Sequence, residues 1–207
     1  MKCRAEETLA RDKANQSYKS MGKTVLSFLD ASCGCCIYDL YGYGKKRLNS
    51  MYKETMDCLD ELMEHYGASG DDTKERTDIS LFVMKRRLAE CGFDFDGETE
   101  NMPIPDPFLQ SWHPANMHSK HKHRLDFLNS MELVTQAYHA MILLWFREKH
   151  RRGALRLSVL YRTLRADYNL FASEYLRCNS AGDANIQKML SERQKKIETI
   201  GLELIDQ

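Results

Sequence analysis

The chain has 207 residues, and its 30 basic and 30 acidic side chains cancel to a formal net charge of +0. That length suits one ordinary domain or two small ones, and the charge balance excludes a molecule-wide field of either sign, so any polyanion binding has to come from a local patch. With 29% charged and 43% hydrophobic residues, 4 Pro and 11 Gly, the composition excludes disorder and suits a helical globular protein.

No apolar core of signal-peptide length occurs in the first 24 residues, and no stretch of about 20 apolar residues could span a bilayer. A soluble protein of the cytoplasm is expected. The seven cysteines, an odd number in a long chain, include Cys33, Cys35, Cys36, Cys58 and Cys91 within helical patterns. Reduced, buried thiols are therefore expected rather than a disulfide framework.

In chain order, residues 1–23 read as a polar helix. Over 24–41, Leu29, Cys33, Cys36 and Leu40 recur at three- and four-residue steps and predict an apolar helix face, which Gly42 and Gly44 break. The pattern predicts a second helix over 45–66, burying Leu48, Met51, Tyr52, Leu59, Leu62 and Tyr66, with Gly67 as its stop. After a turn at 68–72, a third helix is expected to start near Thr77 or Asp78 and to carry Leu81, Met84, Leu88 and Cys91 to Gly92. Residues 98–132 hold clustered prolines and a His/Lys stretch, and read as a linker with the start of the next helix.

A gapless shift of the chain against itself superposes Gly44 on Gly153, Arg47 on Arg156, Leu48 on Leu157 and Tyr52 on Tyr161. The same shift sets Met51 on Leu160, Leu62 on Phe171, Tyr66 on Tyr175, Leu81 on Leu190, Leu88 on Ile197 and Gly92 on Gly201. Amphipathic helices slid into phase share apolar spacing, but not one offset through three helices and their glycine breaks. The expected fold is all-α: two tandem, diverged three-helix units, 24–97 and 133–207, packed as a pseudo-two-fold bundle in the way a homodimer packs.

The two units differ in charge. The second helix carries an acidic face of Glu54, Asp57, Asp60 and Glu64, where the later unit has Thr163, Ala166, Asn169 and Ser173. The later unit instead gathers Arg147, Lys149, Arg151, Arg152, Arg156, Arg162 and Arg165, a belt able to neutralise phosphates. The competing reading is that these arginines pair with the acidic helix or are simply solvated.

Cys33, Cys35 and Cys36 could ligate zinc, but no second matched pair is evident, and close helix packing suits them better. His118, His121 and His123, among Lys120, Lys122 and Arg124, could ligate a metal or touch phosphate, but with no carboxylate at ligand spacing a solvated basic segment suits them better. His139 and His150 have no acid–base partner in the sequence. Trp112 and Phe108 sit beside prolines, where an aromatic can anchor a partner or fold back as a cap. Tyr38, Tyr41 and Tyr43 next to Lys45, Lys46 and Arg47 suit either a stacking-and-phosphate surface or the rim of the core. No cofactor and no metal are expected.

The run from Cys35 through Tyr38, Tyr41, Gly42, Tyr43, Gly44, Lys45, Lys46 and Arg47 to Leu48, with the later Gly92-Phe93-Asp94-Phe95, resembles small uncharacterised proteins of Firmicutes phages and prophages. The resemblance covers residues 30–96 and, more faintly, 140–206, and it implies a mobile-element origin. In size and composition the chain is also similar to anti-CRISPR proteins. The expected function is that of a non-enzymatic phage protein that inhibits or modulates a host nucleic-acid-processing defence complex, such as a CRISPR effector nuclease, in the bacterial cytoplasm. The alternative is a phage DNA- or RNA-binding accessory protein, and oligomerisation stays open. The expected contacts are Arg147, Lys149, Arg151, Arg152, Arg156, Arg162, Arg165, Lys45, Lys46, Arg47 and Trp112. No converging nucleophile, base and orienting residue can be named for an enzyme.

Overall fold

Helical periodicity dominates the sequence, and the computed structural model realises it. The described residues are 2–66, 73–105, 119–177 and 180–201; side chains are described from 21 onward, apart from 59, 63, 65, 66, 73, 74, 119–123 and 180–183. Among them are seven helices: α1 (Lys2–Tyr41), α2 (Lys45–Tyr66), α3 (Thr73–Ala89), α4 (Phe95–Glu100), α5 (Ser119–His150), α6 (Ala154–Leu176) and α7 (Ser180–Ile200). No strand occurs among the described residues.

The polar 1–23 segment and the apolar segment after it form one continuous helix. The third helix begins at Thr73, four residues before the expected cap, because Lys74, Glu75 and Arg76 are good helix formers and Glu75 suits the positive end of the dipole. Past Gly92 the chain enters a further short helix, α4, which the sequence reading does not include. Asp94 caps α4 by accepting the Gly97 amide, and Phe93 and Phe95 enter the core.

Two clusters form the interior. The larger joins Cys33, Ile37, Leu48, Met51, Met84 and Leu88 to Ile142, Leu143, Phe146, Leu157, Leu160 and Tyr161. The smaller gathers Val25, Phe28 and Leu29 with Phe127, Leu128, Tyr168, Phe171 and Tyr175. The main packing crosses the chain: α3 lies on α5 and α1 lies on α7, α6 packs on α5, α1 and α7, and α2 packs on α3 and α5.

Several features recur at the sequence offset. Gly42 and Arg151 both have positive φ, and so do Gly92 and Gly201, at 80° and 79°. The carbonyls of Gly44 and Gly153 accept the first amides of α2 and α6 alike, from Arg47 and Leu48 and from Arg156 and Leu157. Lys196 on α7 meets Asp39 on α1, and at corresponding positions Arg87 on α3 meets Glu148 on α5.

Candidate functional site: a basic end of the bundle

The turns after α1 and α5 lie side by side. Tyr43 Oη is 3.2 Å from His150 Nε2, and the Arg152 guanidinium sits 5.5 Å from the Tyr41 ring centre. Arg47 lies 5.3 Å over Tyr43. Partial desolvation, with Arg152 and Arg47 close by, holds the His150 imidazole below its ordinary value. Lys45, Lys46, Arg47, Arg151, Arg152 and Arg156 thus come to one end of the bundle. Of the three tyrosines, Tyr43 is buried and Tyr41 half-buried, so they belong to the core rim, while Tyr38 is exposed.

The rest of the expected belt is engaged inside the molecule. Arg147 binds Glu90 at 2.9 Å, Lys149 binds Glu54 at 3.0 Å and Arg162 binds Glu98 at 2.7 Å. Exposed pairs like these contribute at most about 1 kcal/mol each, but they do occupy the charges.

Arg165 is a correction. It is only 2% exposed, pairs with Glu132 at 2.8 Å and donates to the Met102 carbonyl, so it is a core residue and not a contact. A sequence signal existed: Arg165 falls on the stripe Tyr161, Tyr168 and Ala172, at helical steps. Its counterpart at the offset, Met56, is 41% exposed, and among the described residues no segment covers α2 there as the one after α4 covers α6.

The acidic face divides in the same way. Glu54 accepts from Ser50, Trp145 and Lys149, and these bonds hold its carboxyl down to about 2. Asp57, Asp60 and Glu64 are exposed, with no cation in ion-pair reach among the described residues, and Glu61 joins them. Lys46, Arg47, Arg151, Arg152 and Arg156 likewise have no carboxylate in reach among the described residues.

This charge order opposes the helix dipole. α2 has no acid in its first turn, which starts with Lys45, Lys46 and Arg47, while its acids lie toward the C-terminal half. α6 follows Arg151 and Arg152 and holds Arg156 in its first turn. Each such cation costs about 0.3–1 kcal/mol at a helix N-terminus, so local helix stability does not account for them.

The thiols of Cys33, Cys35 and Cys36 are buried and free; burial raises all three, Cys35 to about 11 and Cys36 to about 12. They fill the core. Among the described residues, no group of three or more His, Cys, Asp or Glu could hold a metal, and no helix is long and apolar enough to cross a membrane. Trp112, Phe108 and the side chains of His118, His121 and His123 lie outside the described residues. His139, for which the sequence offered no acid–base partner, is 2% exposed between Tyr161 and Tyr168, and burial, followed by nearby Arg165, lowers it to about 3. No family model matches the chain, and neither a curated protein nor a solved structure matches it.

Proposed function

We propose that this chain is a non-enzymatic phage protein that docks on a host nucleic-acid-processing defence complex and inhibits or modulates it, in the manner of an anti-CRISPR protein. One observation carries the reading: a single end of the molecule presents Lys46, Arg47, Arg151, Arg152 and Arg156 with no carboxylate in reach among the described residues, while the outer face of the same α2 presents Asp57, Asp60, Glu61 and Glu64. A nucleoprotein offers both phosphate and basic protein surface, so both signs find partners there. The phage resemblance of residues 30–96 supports the choice of a defence complex. The scaffold, on this proposal, is two diverged copies of one three-helix unit in pseudo-two-fold packing; the paired left-handed turns at Gly42 and Arg151 and the paired ion bridges support it. The alternative, a DNA- or RNA-binding accessory protein, draws on the basic end alone.

Retention of partners from a host lysate, with and without nuclease treatment, tests this. A nucleoprotein nuclease retained through the treatment and lost with Lys46→Glu plus Arg156→Glu is the expected result. Loss of every partner with the nucleic acid favours the accessory binder. Retention unaffected by the charge reversals overturns both.

A further inference from the structure

The outer side of α6 is apolar where a soluble helix is expected to be polar. Leu155, Val159, Ala166 and Leu170 stand at steps of four, seven and four residues, within one narrow sector of the helix. Leu155 is 81% exposed, Val159 50% and Leu170 59%. At the corresponding places α2 carries Lys46, Ser50, Asp57 and Glu61, so the stripe is not a by-product of a helical pattern common to both. Contiguous exposed apolar residues of this kind mark an interaction face.

The spacing identifies the occupant. Leu155 and Leu170 lie equally far from the midpoint between Arg162 and Thr163, and so do Val159 and Ala166. A stripe symmetric about its own centre is complementary to a reversed copy of itself, which is the requirement of an isologous two-fold interface. We propose that the chain forms a homodimer through antiparallel pairing of α6, with the two-fold axis at that midpoint. Leu155 then packs on Leu170 of the second copy, and Val159 on Ala166 of the second copy. Charge agrees with this register. The basic start of each α6, with Arg151, Arg152 and Arg156, then lies beside the negative end of the other helix's dipole, where Glu174 is itself paired with Arg177 at 2.9 Å. Arg162, with its side chain 62% exposed and bound to Glu98 on α4, flanks the axis. The apolar stripe lies on α6 alone and does not depend on the function proposed above, although Arg151, Arg152 and Arg156 take part in both.

Sedimentation of the full chain over about 1–200 μM tests it, a range that brackets micromolar association. The wild-type protein is expected to pass from its 24.1 kDa monomer to a dimer. Leu155→Lys alone and Leu170→Glu alone are each expected to remain monomeric, and their equimolar mixture to dimerise again. In the mixed dimer the introduced ammonium faces the introduced carboxylate, and the two remaining leucines face each other. Phe82→Glu, at a 66% exposed position on α3, is expected to leave dimerisation unchanged. A wild-type monomer throughout, a single variant that still dimerises, or a mixture that stays monomeric overturns the proposal. All three positions are exposed, and unchanged thermal unfolding of the monomeric variants separates lost association from lost folding.

Discussion

Gly42 and Arg151 take the same left-handed conformation at corresponding places: each follows the last residue of a long helix, Tyr41 or His150, with positive φ, 66° at Gly42 and 49° at Arg151. Glycine adopts this conformation freely, whereas an L side chain there costs about 1–2 kcal/mol. Arg151→Gly should therefore stabilise the protein by roughly 0.5–1 kcal/mol after the larger unfolded-state entropy of glycine is subtracted. Gly42→Ala should destabilise it by about as much, through backbone strain alone, since a Cβ at Gly42 meets nothing within 4 Å. Urea denaturation reads both shifts, and equal stabilities would remove the strain argument. Because Arg151→Gly removes a cation while strengthening the fold, lost partner binding in that variant cannot be ascribed to unfolding.

His139 predicts an acid dependence of stability. Burial lowers its folded value to about 3, against an ordinary 6.5. Between those values the unfolded chain takes up a proton that the folded chain refuses, so stability is full above about pH 6.5 and declines as pH falls, by at most about 1.4 kcal/mol per pH unit. His139→Leu should lessen the slope of unfolding free energy against pH in the window 4.5–6.5, above the carboxylate range, whatever its stability at pH 8. An identical slope in the variant would show that the imidazole is accessible to protons in the folded state.

Arg165 and Glu132 form an asymmetric pair, since the Arg165 side chain is 3% exposed and that of Glu132 22%. Removing the carboxylate leaves a buried guanidinium without its counter-charge, so Glu132→Leu should destabilise by about 3 kcal/mol. Arg165→Met leaves a carboxylate that water can reach and should cost less. A double-mutant cycle checks the order of the two effects; the reverse order would mean that the Met102 carbonyl alone suffices for Arg165.

Packing of α1 on α7 and of α3 on α5 ties the first half of the chain to the second. Cleavage at a protease site introduced within residues 106–118 should therefore leave the two pieces associated in one cooperatively unfolding complex, and neither piece should fold when made alone. A first piece that is folded and monomeric by itself would contradict this dependence. Far-UV circular dichroism with sedimentation of the separate and mixed pieces decides the matter.

What the sequence determined by itself was local or periodic. Apolar steps of three and four residues set the helical class, and the Gly42 and Gly44 break placed the start of α2 at Lys45, because helix initiation depends on neighbours in the chain. The offset relating Gly44 to Gly153 and Gly92 to Gly201 was likewise readable before any fold, and it carried the positions of the turns. The short α4 was not, since its cap at Asp94 follows a glycine that reads as a terminus.

Tertiary structure decided the state of each charge. Lys149 and Glu54 are far apart in sequence yet meet at 3.0 Å, and Arg165 is buried while its counterpart Met56 is exposed. Ion pairing and burial depend on which surfaces of distant helices come together, and charge counted along one helix carries no record of that. The same reason left the basic end to be recognised only in three dimensions. Of seven cations along one stretch, the folded chain engages Arg147, Lys149, Arg162 and Arg165, and it leaves Arg151, Arg152 and Arg156 without a carboxylate in reach among the described residues, beside Lys46 and Arg47 of the other turn.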